Sequence, residues 1–228
     1  MQYRRLGNGP LEVSELSFGT WLTVAGGVGR EQAIRCIHAA VDCGITLFDT
    51  ANQYGAGAAE RVLGEALRAT PRDRYLIATK LFFPVGDEPD KGLSAAQVEK
   101  QLDRSLERLG VDCIDLYQCH RFDKETPVEE TLGALDKAVR AGKVRAIGFS
   151  EWTAAQIDEA AAIAAELGLT MAQMALAWVL RRAEVASAII GASRPEQVVD
   201  NVRAVGVRLP DEVLERIDRA VGGVVVGG

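Results

Sequence analysis

Hydrophobic and polar positions follow two alternating rhythms along this chain. Short apolar runs bounded by turn residues lie at 15–20 (ELSFGT), 45–50 (ITLFDT), 75–80 (YLIATK), 113–118 (CIDLYQ), 144–149 (VRAIGF) and 186–191 (ASAIIG). Each is too short for a helix and reads as a strand. Between them apolar residues recur at helical spacing. After Ser94, the side chains Val98, Leu102, Leu106 and Leu109 form one face, a Ser-x-x-Gln box predicts the helix start, and Gly110 predicts its end. Thr126-Pro127-Val128-Glu129 predicts the next helix, with Pro at its first position and a stripe of Leu132, Leu135 and Val139. Residues 2–13, around Gly7-Asn8-Gly9-Pro10, read as a hairpin.

Strand, helix, strand at about 30-residue spacing predicts right-handed crossovers and a parallel sheet. The rhythm breaks once. Between 144–149 and 186–191 lie two helical patterns, 153–167 and 170–182, joined at Leu167-Gly168-Leu169-Thr170 with no strand between them. Six strands remain, whereas a (β/α)8 barrel needs eight and about 250 residues, so the pattern predicts either another α/β fold or a barrel lacking two βα units. No linker divides the chain, which reads as one domain over 1–228 with a flexible tail at 222–228.

Composition narrows the function. Of 228 residues, 26 are Lys or Arg and 32 Asp or Glu, a net charge of −6 that repels nucleic acid backbones and anionic lipid. No apolar stretch approaches the roughly 18 residues of a membrane span, and the start of the chain has no signal-like core, so a soluble, cytoplasmic protein is expected. Cys36, Cys43, Cys113 and Cys119 form no CxxC pair and lie in apolar segments, which predicts buried thiols and neither zinc nor disulfides.

Polar residues gather where the strands end, which is where parallel α/β proteins place their sites. Asp49 ends one strand, with Tyr54 in the loop beyond it; Lys80 ends the next; His120 closes CIDLYQCH. Alternation puts Ile114, Leu116, Gln118 and His120 on one face of that strand and Cys113, Tyr117 and Cys119 on the other. A phenol beside a lysine is expected to have a lowered pKa and to serve as a general acid, with the aspartate holding the lysine. His38, on the face of Ile34, Ile37 and Val41, reads as packed or partly exposed and not as a ligand. Trp178 reads as core, and Trp21, Phe82 and Phe83 as walls of a substrate pocket.

These blocks occur together and in order: MQYRRLG and LSFGTW, GITLFDTANQYG, IATK, SLERLGVDCIDLYQCHR, GKVRAIGFSEW and GASRPEQVVDN. The whole chain thereby resembles the aldo-keto reductase superfamily, and within it the branch of the potassium-channel β-subunits and their bacterial relatives. The resemblance implies a TIM-barrel-type fold and NADPH-dependent reduction of an aldehyde or ketone. In it Tyr54 is the proton donor, Lys80 and Asp49 tune it, and His120 orients the carbonyl. It implies NADP contacts from Thr20, Trp21, Ser150, Glu151, Gly191, Ser193, Arg194, Gln197 and Asn201, and no metal. Ser193 and Arg194 would take the 2′-phosphate at a helix start, where Ser193 is expected as N-cap and Glu196 as the end of a Ser-x-x-Glu box. Glu151 stands where the superfamily elsewhere has asparagine, and a carboxylate cannot donate to the carboxamide.

Against that family the chain is short in one place, after about residue 160. The resemblance implies that the missing stretch carried an aromatic stacking on the nicotinamide, a glutamine at the carboxamide and a loop over the pyrophosphate. Loss of such stacking, worth about 1–3 kcal/mol per base elsewhere, predicts NADPH affinity at least roughly tenfold weaker than in a full-length relative. It also predicts a sheet left open at 144–149 and 186–191 or closed by a second chain, because exposed edges invite self-association. Three readings stay open: a carbonyl reductase, for which the retained His120 argues; a non-catalytic NADP-binding regulatory subunit, for which Glu151 and the shortening argue; and a shortened chain that folds but neither binds nor turns over.

Overall fold

A computed structural model describes residues 1–6, 11–86, 90–121, 123–149, 180 and 185–220. The hairpin comes first, β1 (Tyr3–Arg5) pairing antiparallel with β2 (Glu12–Ser14). Strand and helix then alternate through β3 (Leu16–Gly19), α1 (Arg30–Asp42), β4 (Leu47–Asp49), α2 (Ala58–Leu67), β5 (Leu76–Leu81), α3 (Ala95–Leu109), β6 (Ile114–Cys119), α4 (Val128–Arg140) and β7 (Val144–Phe149). After the break come β8 (Ala188–Ile190), α5 (Pro195–Val202) and α6 (Asp211–Ala220). The expected helices at 153–167 and 170–182, Trp152, Trp178 and the tail lie outside the described residues, apart from Leu180, which is helical.

All six main strands form one parallel sheet in the order β7-β6-β5-β4-β3-β8. The last strand pairs with the first, Leu16 opposite Ala188 and Phe18 opposite Ile190, and not with the strand before it. That return is the wrap of a (β/α)8 barrel, here with an interval between β7 and β8. Among the described residues these two strands each pair on one side only, and Ile147 and Ile189 are exposed on them.

Alternation sorts the strands into two cores. Phe48, Ile77 and Tyr117 face outward into the main cluster under the helices, with Ile37, Leu63 and Leu102. Leu47 and Ala78 face inward, packed with Leu116 and with Val13 of the hairpin, which plugs the amino-terminal end of the sheet's interior. The interior is therefore apolar at one end, and two residues further along the same strands its side chains become Asp49, Lys80 and Gln118.

Helix starts differ in detail from the sequence reading. Ser94 does cap α3, accepting from the Gln97 N–H at 3.4 Å, and Gly110 ends it at φ +66°. The Gln97 side chain instead accepts from Gln101 and donates to Asp90, so the box is half formed. Pro127 is the N-cap of α4, one residue earlier in the helix than expected, because the Thr126 hydroxyl donates to Asp123 at 2.8 Å. Of the expected α4 stripe only Leu135 is buried; Leu132 and Val139 are exposed, and the inward face is Thr131, Leu135 and Ala138. The helix packs on α3 to one side, and that contact sets its rotation.

The four cysteines are free thiols, Cys36 and Cys119 buried as expected but Cys43 and Cys113 only half-buried. His38 is exposed, its Nε2 3.0 Å from the Ala66 carbonyl on α2. Behind β5, buried Glu60 on α2 accepts from Thr79 at 2.7 Å and pairs with Arg108 of α3 at 2.6 Å. A buried pair of this kind is satisfied only in one arrangement, so it fixes α2 and α3 on the strand that carries Lys80.

Candidate active site

The interior face ends in chemistry because the strand period is two. Gly19 lies opposite Asp49, Asp49 opposite Ala78, and Lys80 opposite Gln118, which brings the polar ends of β4, β5 and β6 side by side. Lys80 Nζ donates to both carboxylate oxygens of Asp49, at 2.7 and 2.6 Å, and to the Thr50 carbonyl at 3.0 Å. All three ammonium protons are thereby used. Gln118 also bonds the Asp49 carboxylate. Burial pushes the Asp49 carboxyl above its ordinary value, and Lys80 pulls it back without cancelling the effect.

Tyr54 reaches this pair from a turn of unusual backbone. Gly55, Ala56 and Gly57 all have positive φ, +56°, +51° and +82°, which turns the chain sharply from Tyr54 into α2. The Lys80 ammonium lies 5.4 Å from the centre of the Tyr54 ring. Trp21 packs against the ring at a tilt of 52°, centroids 4.9 Å apart, and His120 meets it edge-on at 5.8 Å. His120 also stands edge-on to Phe83 at 5.3 Å.

The phenol does not behave as the sequence reading expected. Burial, and then the charge of Asp49, push Tyr54 up to about 12, against a smaller opposite pull from Arg121. Of the Lys80–Asp49 pair, it is the Asp49 charge and not the Lys80 charge that acts on the phenol. Tyr54 therefore stays protonated across the working range of pH and can give up its proton only to a strongly basic oxygen. His120 moves the other way. Burial first, and then the positive charges of Lys80 and Arg121, push it down to about 4. Its ring is neutral near pH 7, and its Nδ1 is buried without a hydrogen-bond partner among the described residues.

This makes acid stability a test of the site. With an ordinary value of 6.5 when unfolded and about 4 when folded, His120 favours folding fully above pH 6.5, and the contribution is lost as pH falls toward 4. Urea unfolding of wild type and His120→Gln, each at pH 7.5 and pH 4.5, is expected to show wild type losing roughly 2–3 kcal/mol more than the variant between the two pH values. Equal losses would mean that His120 is not desolvated.

Several residues that hold the site went unnoticed in the sequence. Phe82 has φ +142°, a backbone state that L residues seldom adopt. Gln101 Oε1 holds it there, accepting from the Phe82 N–H at 3.2 Å and from Asn52 Nδ2 at 2.9 Å, while Asn52 also donates to the Phe83 carbonyl. Arg121 packs over Phe83 at 5.5 Å and bonds the His120 carbonyl. A buried Gln in a helix stripe and an Asn beside Asp49 were the available signals. Of the expected cofactor residues, Thr20 is fully buried with its hydroxyl donated to Thr50 at 2.9 Å, and Trp21 is 54% exposed.

A second cleft, about 610 Å3, lies between Leu22 and the start of α5, lined by Gly191, Ser193, Gln197 and Asn201 together with the carboxylates Glu196 and Asp200. Arg194, not Ser193, is the N-cap of α5, with Pro195 at its first position. Gln197, not Glu196, reaches back: its Oε1 accepts from the N–H groups of Ser193 and Arg194, at 2.9 and 3.2 Å, and from the Ser193 hydroxyl at 3.1 Å. An amide oxygen serves here because it accepts without placing a further charge among these carboxylates. Ser150 and Glu151 lie outside the described residues.

The model of the Aldo/keto reductase family matches residues 15–162 and, separately, 157–221. The chain belongs to the aldo/keto reductase family. Its match in two pieces falls where the strand rhythm breaks. Aldo/keto reductase relatives include a "Probable voltage-gated potassium channel subunit beta" of Oryza sativa subsp. japonica, 40% identical over 171 residues, and one of Arabidopsis thaliana, 39% identical over 171. Each alignment takes in 74% of this chain and 52% of the relative, so the chain spans about half the length of these two plant proteins. A "Putative voltage-gated potassium channel subunit beta" of Schizosaccharomyces pombe is 29% identical over 316 residues, covering 95% of this chain and 92% of the relative. Since 316 aligned positions exceed the 228 residues here, that aldo/keto reductase relative contains an internal stretch with no counterpart in this chain.

Proposed function

We propose that the chain is an NADPH-dependent carbonyl reductase, acting in the cytoplasm on a small aldehyde or ketone. The observation that carries this reading is the grouping of a buried, protonated tyrosine, a neutral histidine and a neutralised Lys80–Asp49 pair around one spot. The α5 cleft supports a nucleotide: the Ser193 hydroxyl lines it at a helix start whose N-cap is Arg194, and the amide oxygen of Gln197, now occupying the N–H groups of Ser193 and Arg194, marks where an anionic oxygen would bond. NADPH, when bound, supplies the hydride. The chain's own residues do the rest. His120, neutral, donates a hydrogen bond that orients the carbonyl oxygen, and Tyr54 gives that oxygen its proton as negative charge develops there. A phenol at about 12 is acidic enough for an alkoxide and too weak to protonate anything earlier. Asp49 holds Lys80 in place beneath the phenol, the Asp49 charge helps keep Tyr54 protonated and the Lys80 charge helps keep His120 neutral, and Trp21 and Phe83 wall the spot.

The test is loss of NADPH absorbance with a panel of aldehydes and ketones. Turnover supports the reading, and absence of turnover across the panel counts against it. A second reading, a regulatory subunit that binds NADPH and contacts a protein partner, is favoured by the printed names of the relatives. It predicts quenching of tryptophan fluorescence by NADPH without turnover. The shortening supports affinity lower than in a full-length relative under either reading, and the edges of β7 and β8, one-sided among the described residues, support self-association.

A further inference from the structure

The two halves of the proposed nucleotide site sit on different parts of the chain. Trp21 follows β3 and covers Tyr54; Ser193 and Arg194 follow β8. β8 is a three-residue strand, and among the described residues it pairs with β3 alone, Leu16 opposite Ala188 and Phe18 opposite Ile190. Beyond β8 itself, one hydroxyl ties the residue before Ser193 to the turn that follows β3. Thr23 lies in the wide turn Trp21–Ala25, in which the Gly26 N–H bonds the Trp21 carbonyl at 2.8 Å. It is fully buried, and its Oγ1 donates to the Ala192 carbonyl at 2.7 Å and accepts from the Ala192 N–H at 3.2 Å. Both backbone groups of the residue just before Ser193 are thus held by the side chain two residues after Trp21. The adjoining walls meet closely as well: a Cβ on Gly191 would lie 3.2 Å from the Leu22 Cβ.

We propose that Thr23 is a positioning residue that sets the spacing between the phosphate end of the site at Ser193 and Arg194 and the reacting end at Trp21 and Tyr54. This rests on the NADPH reading above. A ligand that reaches both ends gains from simultaneous contact only when their separation is held at its own length; a ligand that touches one end is indifferent to it. The Thr23 hydroxyl bonds Ala192 and, more weakly, the Gly19 carbonyl at 3.3 Å, so its effect on the Ser193 end passes through Ala192.

The experiment compares NADPH with 2′,5′-ADP, which carries the phosphate and adenine but no nicotinamide. Binding is read from tryptophan fluorescence for NADPH and by calorimetry for both. Thr23→Val keeps the shape and removes the hydroxyl, and is expected to weaken NADPH by about tenfold while changing 2′,5′-ADP by less than about twofold. Thr23→Ser is expected to restore NADPH binding to near wild type. Equal weakening of both ligands would show a merely structural hydroxyl and overturn the proposal, as would no weakening of either. If wild type binds neither ligand, the NADPH reading fails and the proposal with it; if wild type binds both and only the selectivity is missing, the proposal alone fails. Circular dichroism checks the fold of each variant. Should Thr23→Val not fold, Thr23→Ala, which leaves room for water at Ala192, carries the same comparison and the same two overturning results.

Discussion

Tyr54→Phe is expected to lower carbonyl reduction by about 10²- to 10⁴-fold, the usual worth of a positioned proton donor. The substitution removes one oxygen and leaves the ring packed against Trp21 and edge-on to His120, so folding and NADPH binding are expected to stay as in wild type. Steady-state rates, with fluorescence titration alongside, separate the two effects. Equal rates in wild type and variant would remove Tyr54 from the chemistry. Weaker NADPH binding in the variant would place the phenol in ligand contact instead. Since Tyr54 is raised to about 12 and His120 lowered to about 4, neither group titrates near neutrality, and the rate is expected to be flat with pH between about 5.5 and 9.

Lys80→Met is expected to destabilise the protein by about 3–5 kcal/mol, because it leaves the Asp49 carboxylate buried and uncompensated. Both partners of the pair are nearly inaccessible, at 7% and 9% of side-chain surface, so water does not replace the lost ammonium. The double variant Asp49→Asn/Lys80→Met, with no buried charge, is expected to recover most of that stability. Urea midpoints of the three proteins decide the matter, and a double variant as unstable as the single one would show packing, not charge, to be the cause. The deficit of the single variant is expected to shrink as pH falls, since a carboxyl that has lost its cation takes up a proton more readily. Turnover is expected to remain low in both, because neither keeps the electrostatic arrangement under Tyr54.

The strands and the positions of Asp49, Lys80 and His120 could be read directly because each depends on a period of two within five or six residues. The hairpin was equally legible, since Gly7-Asn8-Gly9-Pro10 is a local signal. Helix starts were less so. Thr126 and Ser193 have the right chemistry for capping, but Asp123 takes the Thr126 hydroxyl and Gln197 takes the Ser193 groups, and such competition between polar partners is invisible in sequence. The α4 stripe was misjudged for a similar reason: Leu132 and Val139 have the spacing of a core face, yet helix rotation is set by α3.

By itself, the sequence determined the alternation of strand and helix, the residues at the strand ends, the family and the place of the shortening, because all of these depend on local order or on motifs read in succession. Tertiary structure alone decided three things. It placed β8 beside β3, which depends on pairing between residues some 170 positions apart in the chain. It raised Tyr54 and lowered His120, because desolvation depends on everything packed around a group and outweighed the single neighbour that sequence could name. And it brought the Thr23 hydroxyl to Ala192, an ordinary threonine whose role exists only where two distant loops meet.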